Sequence, residues 1–213
     1  TLVLDGGKEL YNPLIVSSGT LAGNGTYSTA TIGTGAMVSP GFGSNPLGKL
    51  TFSHLTLASD GVYEWNIQSA NLINTGARDL VNISSSATLE LTATSGSPFV
   101  IRPVTLTSAG IGGILGDVDP SHGLYSWTLM TYQSISGATQ LTNPSNLSLD
   151  VSQFQSTYAG TFSLQLTSLT GTGSLMLNFT PVPEPSTYAL MIAGLGIIVL
   201  QLRRQSRANR RRS

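Results

Sequence analysis

Eight glycines punctuate the stretch SSGTLAGNGTYSTATIGTGAMVSPGFGSNPLGKLTF, Ser17–Phe52. Its apolar clusters are small: Leu21, Ile32, Met37–Val38 and Leu50–Phe52. Gly-Asn-Gly, Gly-Thr-Gly and Pro-Gly breaks separate them. Glycine reaches positive φ without steric cost and so suits tight turns. No part of residues 1–60 sustains a 3.6-residue apolar period over three turns. Short β segments joined by tight turns are the natural reading. No hairpin Asn-Gly lies between alternating runs, so the spacing fits coils of a β-solenoid. Each coil of such a fold buries its apolar face only by stacking on the next. Residues 1–60 are therefore expected to form Gly-rich solenoid-like coils that continue upstream of Thr1.

Residues 61–180 carry longer alternating runs. Around Asp60-Gly61, Tyr63, Trp65 and Ile67 share one face, and Val62, Glu64 and Asn66 share the other. Leu89 and Leu91 alternate next. Phe99, Ile101 and Pro103 follow, and Pro103 argues for an edge or an irregularity. After a loop-rich join at residues 109–123 come Tyr125, Trp127 and Leu129. The clearest hairpin aligns Phe162, Leu164 and Leu166 with Leu175, Leu177 and Phe179. Thr170-Gly171-Thr172-Gly173 turns between them. The expected class is all-β: solenoid coils, then an all-β domain of antiparallel strands over 61–180, then one C-terminal transmembrane α-helix.

Charge is unevenly distributed. Before Glu184 there are nine acids and four bases, a net of −5. From Glu184 onward one acid faces six arginines, a net of +5. The body carries no basic stripe, which argues against nucleic acid. Cysteine is absent from the chain, and with it go disulfides, thiolate metal sites and thiol nucleophiles.

The basic residues follow an apolar run. Pro181, Pro183 and Pro185 stop any strand and stiffen the chain, with Glu184 between two of them. Pro185 or Ser186 can open a helix, and an acid at that end suits the helix dipole. Tyr188, Ala189, Leu190, Met191, Ile192, Ala193, Gly194, Leu195, Gly196, Ile197, Ile198, Val199 and Leu200 lead to Gln201 and Leu202 with no formal charge. At ~1.5 Å per residue this run is short for a hydrocarbon core of ~30 Å. Extension back to Ser186 and snorkelling arginines make a span over 186–202 workable. Arg203, Arg204, Arg207, Arg210, Arg211 and Arg212 then place the C-terminus in the cytoplasm by the positive-inside rule.

Pro183-Glu184-Pro185-Ser186-Thr187, the apolar helix with Ala193-Gly194-Leu195-Gly196, and the arginine cluster together resemble the PEP-CTERM protein-sorting signal. The resemblance implies a segment, 181–213, recognised at Pro183, Glu184 and Pro185 by an exosortase-type membrane protease. It further implies export, processing near those prolines, passage through the membrane to the cell surface or matrix, and exopolysaccharide as a partner. Gln201 and the spacing of the arginines depart from the simplest pattern without changing the order of its parts. Residues 14–60, through GTLAGNGT and GTGAMVSPGFGSNPLGKLTF, are similar to autotransporter-associated β-strand repeats.

Catalytic signals are sparse. His54 and His122 are the only histidines, and no Gly-x-Ser-x-Gly elbow accompanies them. Asp117 and Asp119 make a poor calcium site, and no spacing selects a carboxylate pair for glycoside hydrolysis. Neither a metal nor a cofactor is implied. The expected role is that of a non-enzymatic surface or matrix structural protein. The alternatives are the end of a polysaccharide-active enzyme, or a carbohydrate-binding module using Trp65, Trp127 and Tyr125.

Overall fold

The computed structural model describes residues 1–4, 7–182 and 193–198. Fifteen strands build two sheets. The first sheet holds β1 (Leu2–Leu4), β4 (Gly19–Gly23), β6 (Ala36–Pro40), β8 (Val62–Ile67), β10 (Phe99–Thr105) and β13 (Leu147–Leu149), in that order. All its neighbours run parallel. In the second sheet, β2 (Glu9–Leu10) and β3 (Leu14–Val16) both lie against β5 (Thr26–Ile32). Then come β7 (Lys49–Leu57), β9 (Leu80–Leu91) and β11 (Tyr125–Tyr132), again parallel, with β12 (Ser134–Ser136) on β9. From β4 to β11 the chain alternates between the sheets, so each pass lies on the pass before.

That stacking sets like on like. Leu21, Val38, Tyr63, Ile101 and Leu149 stand in register across the first sheet. Ala30, Leu55, Leu89 and Ile135 do so across the second. Most of these side chains are fully buried in one core cluster that extends from Leu21 to Phe179. Both sheets run without a break past residues 60–61. The reverse side of the second sheet repeats small polar residues: Thr26, Thr51, Asn82, Thr131 and Ser174. Parallel strands lie ~4.8 Å apart, close enough for side chains in this row to bond, as Thr131 Oγ1 does to Asn82 Oδ1 at 2.8 Å.

One expectation is corrected here. The strands of 61–180 are not generally antiparallel: β8, β9 and β10 pair in parallel. Only β15 (Gly173–Pro181) on β11, and β14 (Gly160–Leu166) on β15, are antiparallel. The reason is connectivity. Long links such as residues 68–79 and 106–124 carry the chain across to the other sheet, whereas the short link of residues 167–172 returns β15 beside β14. A short link between neighbours in one sheet reverses the chain and makes the pair antiparallel; crossovers permit parallel pairing.

Pro103 sits inside β10, yet it interrupts nothing. The N–H groups of Phe99 and Thr105 point to Asn146 O and Gln153 O, and Pro103 falls between them, past the last β13 pair at Ile101–Leu149. A register shift between Thr128 and Met130 changes the phase of β11. Leu129 and Met130 are consequently both buried, along with Trp127 and Tyr132.

Glycine spacing near the N-terminus has a clear cause. Gly23 and Gly41 exchange two backbone hydrogen bonds, 3.0 and 2.8 Å, where consecutive passes turn the same corner. Gly41 has φ of +82°, and a Cβ there would lie 2.5 Å from the carbonyl carbon and oxygen of Pro46. Gly41→Ala is expected to destabilise the fold by about 2–3 kcal/mol, through left-handed strain and overlap together. Urea unfolding of the variant measures it; a loss below about 0.5 kcal/mol, the range of ordinary surface changes, would contradict this geometry.

Candidate functional site at the C-terminal junction

The body hands over to the C-terminal segment from a fixed point. Pro181 ends β15 opposite Gly160, and Val182 N–H donates to Ala159 O at 2.7 Å. β15 is held on both sides, by β14 and by β11. Phe179, two residues before the end of the strand, is buried against Phe162 (4.7 Å between ring centroids), Phe154 (5.4 Å) and Trp127 (6.1 Å).

Of the sorting residues expected from sequence, Pro183, Glu184, Pro185, Tyr188–Ile192, Val199, Leu200 and all six arginines lie outside the described residues. Ala193, Gly194, Leu195, Gly196, Ile197 and Ile198 are described, and they are helical. Leu195, Ile197 and Ile198 each expose more than half of their surface. Among the described residues, no helix is long and apolar enough to cross a membrane.

Residues 181–205 match the PEP-CTERM protein-sorting motif. The PEP-CTERM segment implies export, transit through the membrane and recognition there by an exosortase. It begins at the last residue of β15, so the motif and the sheet abut with no intervening linker. No curated protein and no solved structure gives a significant match. The similarity of residues 14–60 to autotransporter-associated repeats gains no support from these comparisons.

The other residues singled out from sequence are accounted for by local structure. Trp65 and Trp127 are completely buried and Tyr125 nearly so, which counts against the alternative of a carbohydrate-binding module built on them. The two tryptophans meet in the core between the sheets, 6.1 Å apart. Their indole N–H groups donate to Asp79 O (2.8 Å) and Ala70 O (3.1 Å). His54 lies on the outer side of β7, 3.4 Å from Glu90 Oε2, which also accepts from Thr56 Oγ1 at 3.0 Å. His122 stacks on Tyr125 at 4.5 Å.

Asp117 is spent on the 69–70 loop, accepting from Ser69 Oγ at 2.6 Å and Ala70 N at 2.8 Å. Asp119 caps its own turn through Ser121 N and Oγ, and these hydrogen bonds hold its carboxyl below the ordinary carboxylate range. Among the described residues no three His, Asp or Glu side chains are grouped to hold a metal ion.

Two features were not visible as sites in the sequence. Asp79 is a fully buried carboxylate that accepts from Gly48 N (2.8 Å), Asn66 N (2.9 Å) and Asn66 Nδ2 (2.9 Å). Beside it, at the corner where passes enter β5, β7 and β9, a cleft of about 480 Å³ opens. Asn24, Asn45, Lys49, Gln68, Thr75 and Arg78 contribute its polar lining. The signal that would have found it is register. Lys49 is paired with Leu80, which brings Arg78, two residues earlier, to the same corner one pass later.

Proposed function

We propose that this chain is a non-enzymatic, exported β protein, held at the membrane by its C-terminal segment and released by cleavage to serve as a structural component of the cell surface or extracellular matrix. The observation that carries the reading is the PEP-CTERM match at residues 181–205, set directly against the end of the sheet. Six helical residues, 193–198, among which Leu195, Ile197 and Ile198 have exposed apolar side chains, support a lipid-facing segment. In this reading Pro183, Glu184 and Pro185 are what the protease recognises, the run Tyr188–Leu202 is the anchor, and the arginines keep the C-terminus in the cytoplasm. The body is compatible with that role. It is lightly charged, and Ser126 bonds Asn178 and Thr131 bonds Asn82 between neighbouring strands of the second sheet.

Mass spectrometry of the protein from the native envelope tests the reading. The expected product ends near Pro183–Pro185 and lacks the arginine cluster. Replacing Pro183, Glu184 and Pro185 by alanine is expected to leave the uncut form as most of the protein in the membrane fraction. Serine in place of all six arginines is expected to scramble orientation, read by protease protection of the C-terminus. An uncut chain recovered from the cytosol would overturn the proposal.

A further inference from the structure

We infer that the corner cleft lined by Lys49 and Arg78 binds a hydroxylated carboxylate of sugar size, a uronic-acid-type saccharide. The cleft gathers two of the four cations that an acidic body possesses. Arg102, by contrast, is neutralised by Asp150 at 2.9 Å. Among the described residues neither Lys49 nor Arg78 has an acidic side chain within ion-pair distance. Asp79 lies close in sequence, but its oxygens are taken by Gly48 and Asn66.

Arg78 is pre-positioned. Its two terminal nitrogens donate to Asn71 O (3.2 Å) and Leu72 O (2.9 Å), which fixes the guanidinium against the 71–72 loop. Burial pulls its pKa down from the ordinary arginine value, yet arginine stays charged at neutral pH. The remaining N–H groups of a planar fork match a carboxylate geometrically, and lysine adds a point charge.

Around these cations stand side-chain amides and a hydroxyl: Asn24, Asn45, Gln68 and Thr75. Asn24 Oδ1 is bonded to Lys49 N at 3.0 Å, which leaves the Asn24 amide N–H groups as donors. Amides and hydroxyls of this kind satisfy sugar hydroxyls. The cleft size falls within the ~300–1,000 Å³ range of small-ligand sites.

Two considerations disfavour a phosphate or a nucleotide. Successive free backbone N–H groups, the usual phosphate cradle, are not what lines the cleft; the Gly48 N–H is already given to Asp79. Aromatic side chains are missing from the lining, so a nucleobase has nothing to stack on.

Isothermal titration calorimetry of the full chain in neutral detergent, at pH 7 and low salt, tests the inference with trigalacturonate as probe. Saturable binding is expected, with maltotriose giving no heat and sulfate failing to compete at equal concentration. Lys49→Glu is expected to weaken binding more than tenfold, and Arg78→Lys, which keeps charge but loses the fork, about fivefold. Lys49 is exposed, so its variant leaves the fold intact, and an unchanged circular dichroism spectrum verifies that. No binding of trigalacturonate, equal binding of maltotriose or sulfate, or undiminished binding by Lys49→Glu would each overturn it. Cleavage of the C-terminal segment is not involved in this measurement, so its outcome is separable from that of the sorting proposal.

Discussion

Trp127→Ala is expected to cost the folded chain about 3–5 kcal/mol, read as a lowered urea midpoint together with a loss of near-ultraviolet circular dichroism. Trp127 belongs to β11 in one sheet, and Trp65, 6.1 Å away, belongs to β8 in the other. The indole of Trp127 stacks on Tyr125 (5.4 Å) and Phe179 (6.1 Å) and has no exposed surface. Removing it opens a cavity between the sheets that rigid parallel ladders cannot close. It also discards aromatic contacts worth about 0.5–1.5 kcal/mol each beyond burial, and leaves Ala70 O without its donor. Trp127→Phe keeps most of the volume and is expected to lose less. A Trp127→Ala chain within 1 kcal/mol of the parent would show that the sheets do not share this core.

Removal of the Asp79 carboxylate has a comparable effect for a different reason. Asp79→Ala strands two buried N–H groups, those of the Asn66 main chain and amide, and a half-buried one, that of Gly48. At about 1–3 kcal/mol for each unsatisfied group, a loss of about 3–5 kcal/mol is expected. The pH dependence gives a second readout. Burial pushes the Asp79 carboxyl well above its ordinary value, outweighing the N–H donors that pull it down. Its folded-state pKa therefore exceeds the unfolded one, and the folded chain holds this proton more tightly. The contribution of Asp79 is largest below the unfolded carboxyl value near 3.9, and it is lost as pH rises through the folded value. Stability of the parent is expected to increase on mild acidification from neutral pH, and Asp79→Asn is expected to remove that increment. A parent whose midpoint falls monotonically from pH 7 to pH 5, with the same slope in Asp79→Asn, would contradict it.

Local patterns in the chain were readable because they depend on near neighbours. Tyr63, Trp65 and Ile67 face inward, as alternation requires, and the strands through Leu164 and Leu177 form a hairpin. Parallel pairing was not readable between residues 61 and 110. Alternation fixes which face a side chain takes; it does not fix the direction of the strand alongside. Asn66 shares its face with Glu64, as alternation requires, but alternation does not show that its amide is buried there as a donor to Asp79. The tryptophans, named as binding residues only in an alternative reading, fill the space between the sheets. The PEP-CTERM segment was legible as a contiguous order of parts. The cleft was not, because Lys49 and Arg78 meet only through register between passes.

The clamping of β15 between β14 and β11 bears on what severing the tail does to the body. Among the described residues every rung that holds Gly173–Pro181 lies on the body side of Val182, so a cut beyond that residue leaves these ladder bonds in place. Tension applied through the tether meets two flanking rows at once and must load them in shear, the direction in which a strand yields last. The body can thus be hauled on by its end, and then set free, without refolding.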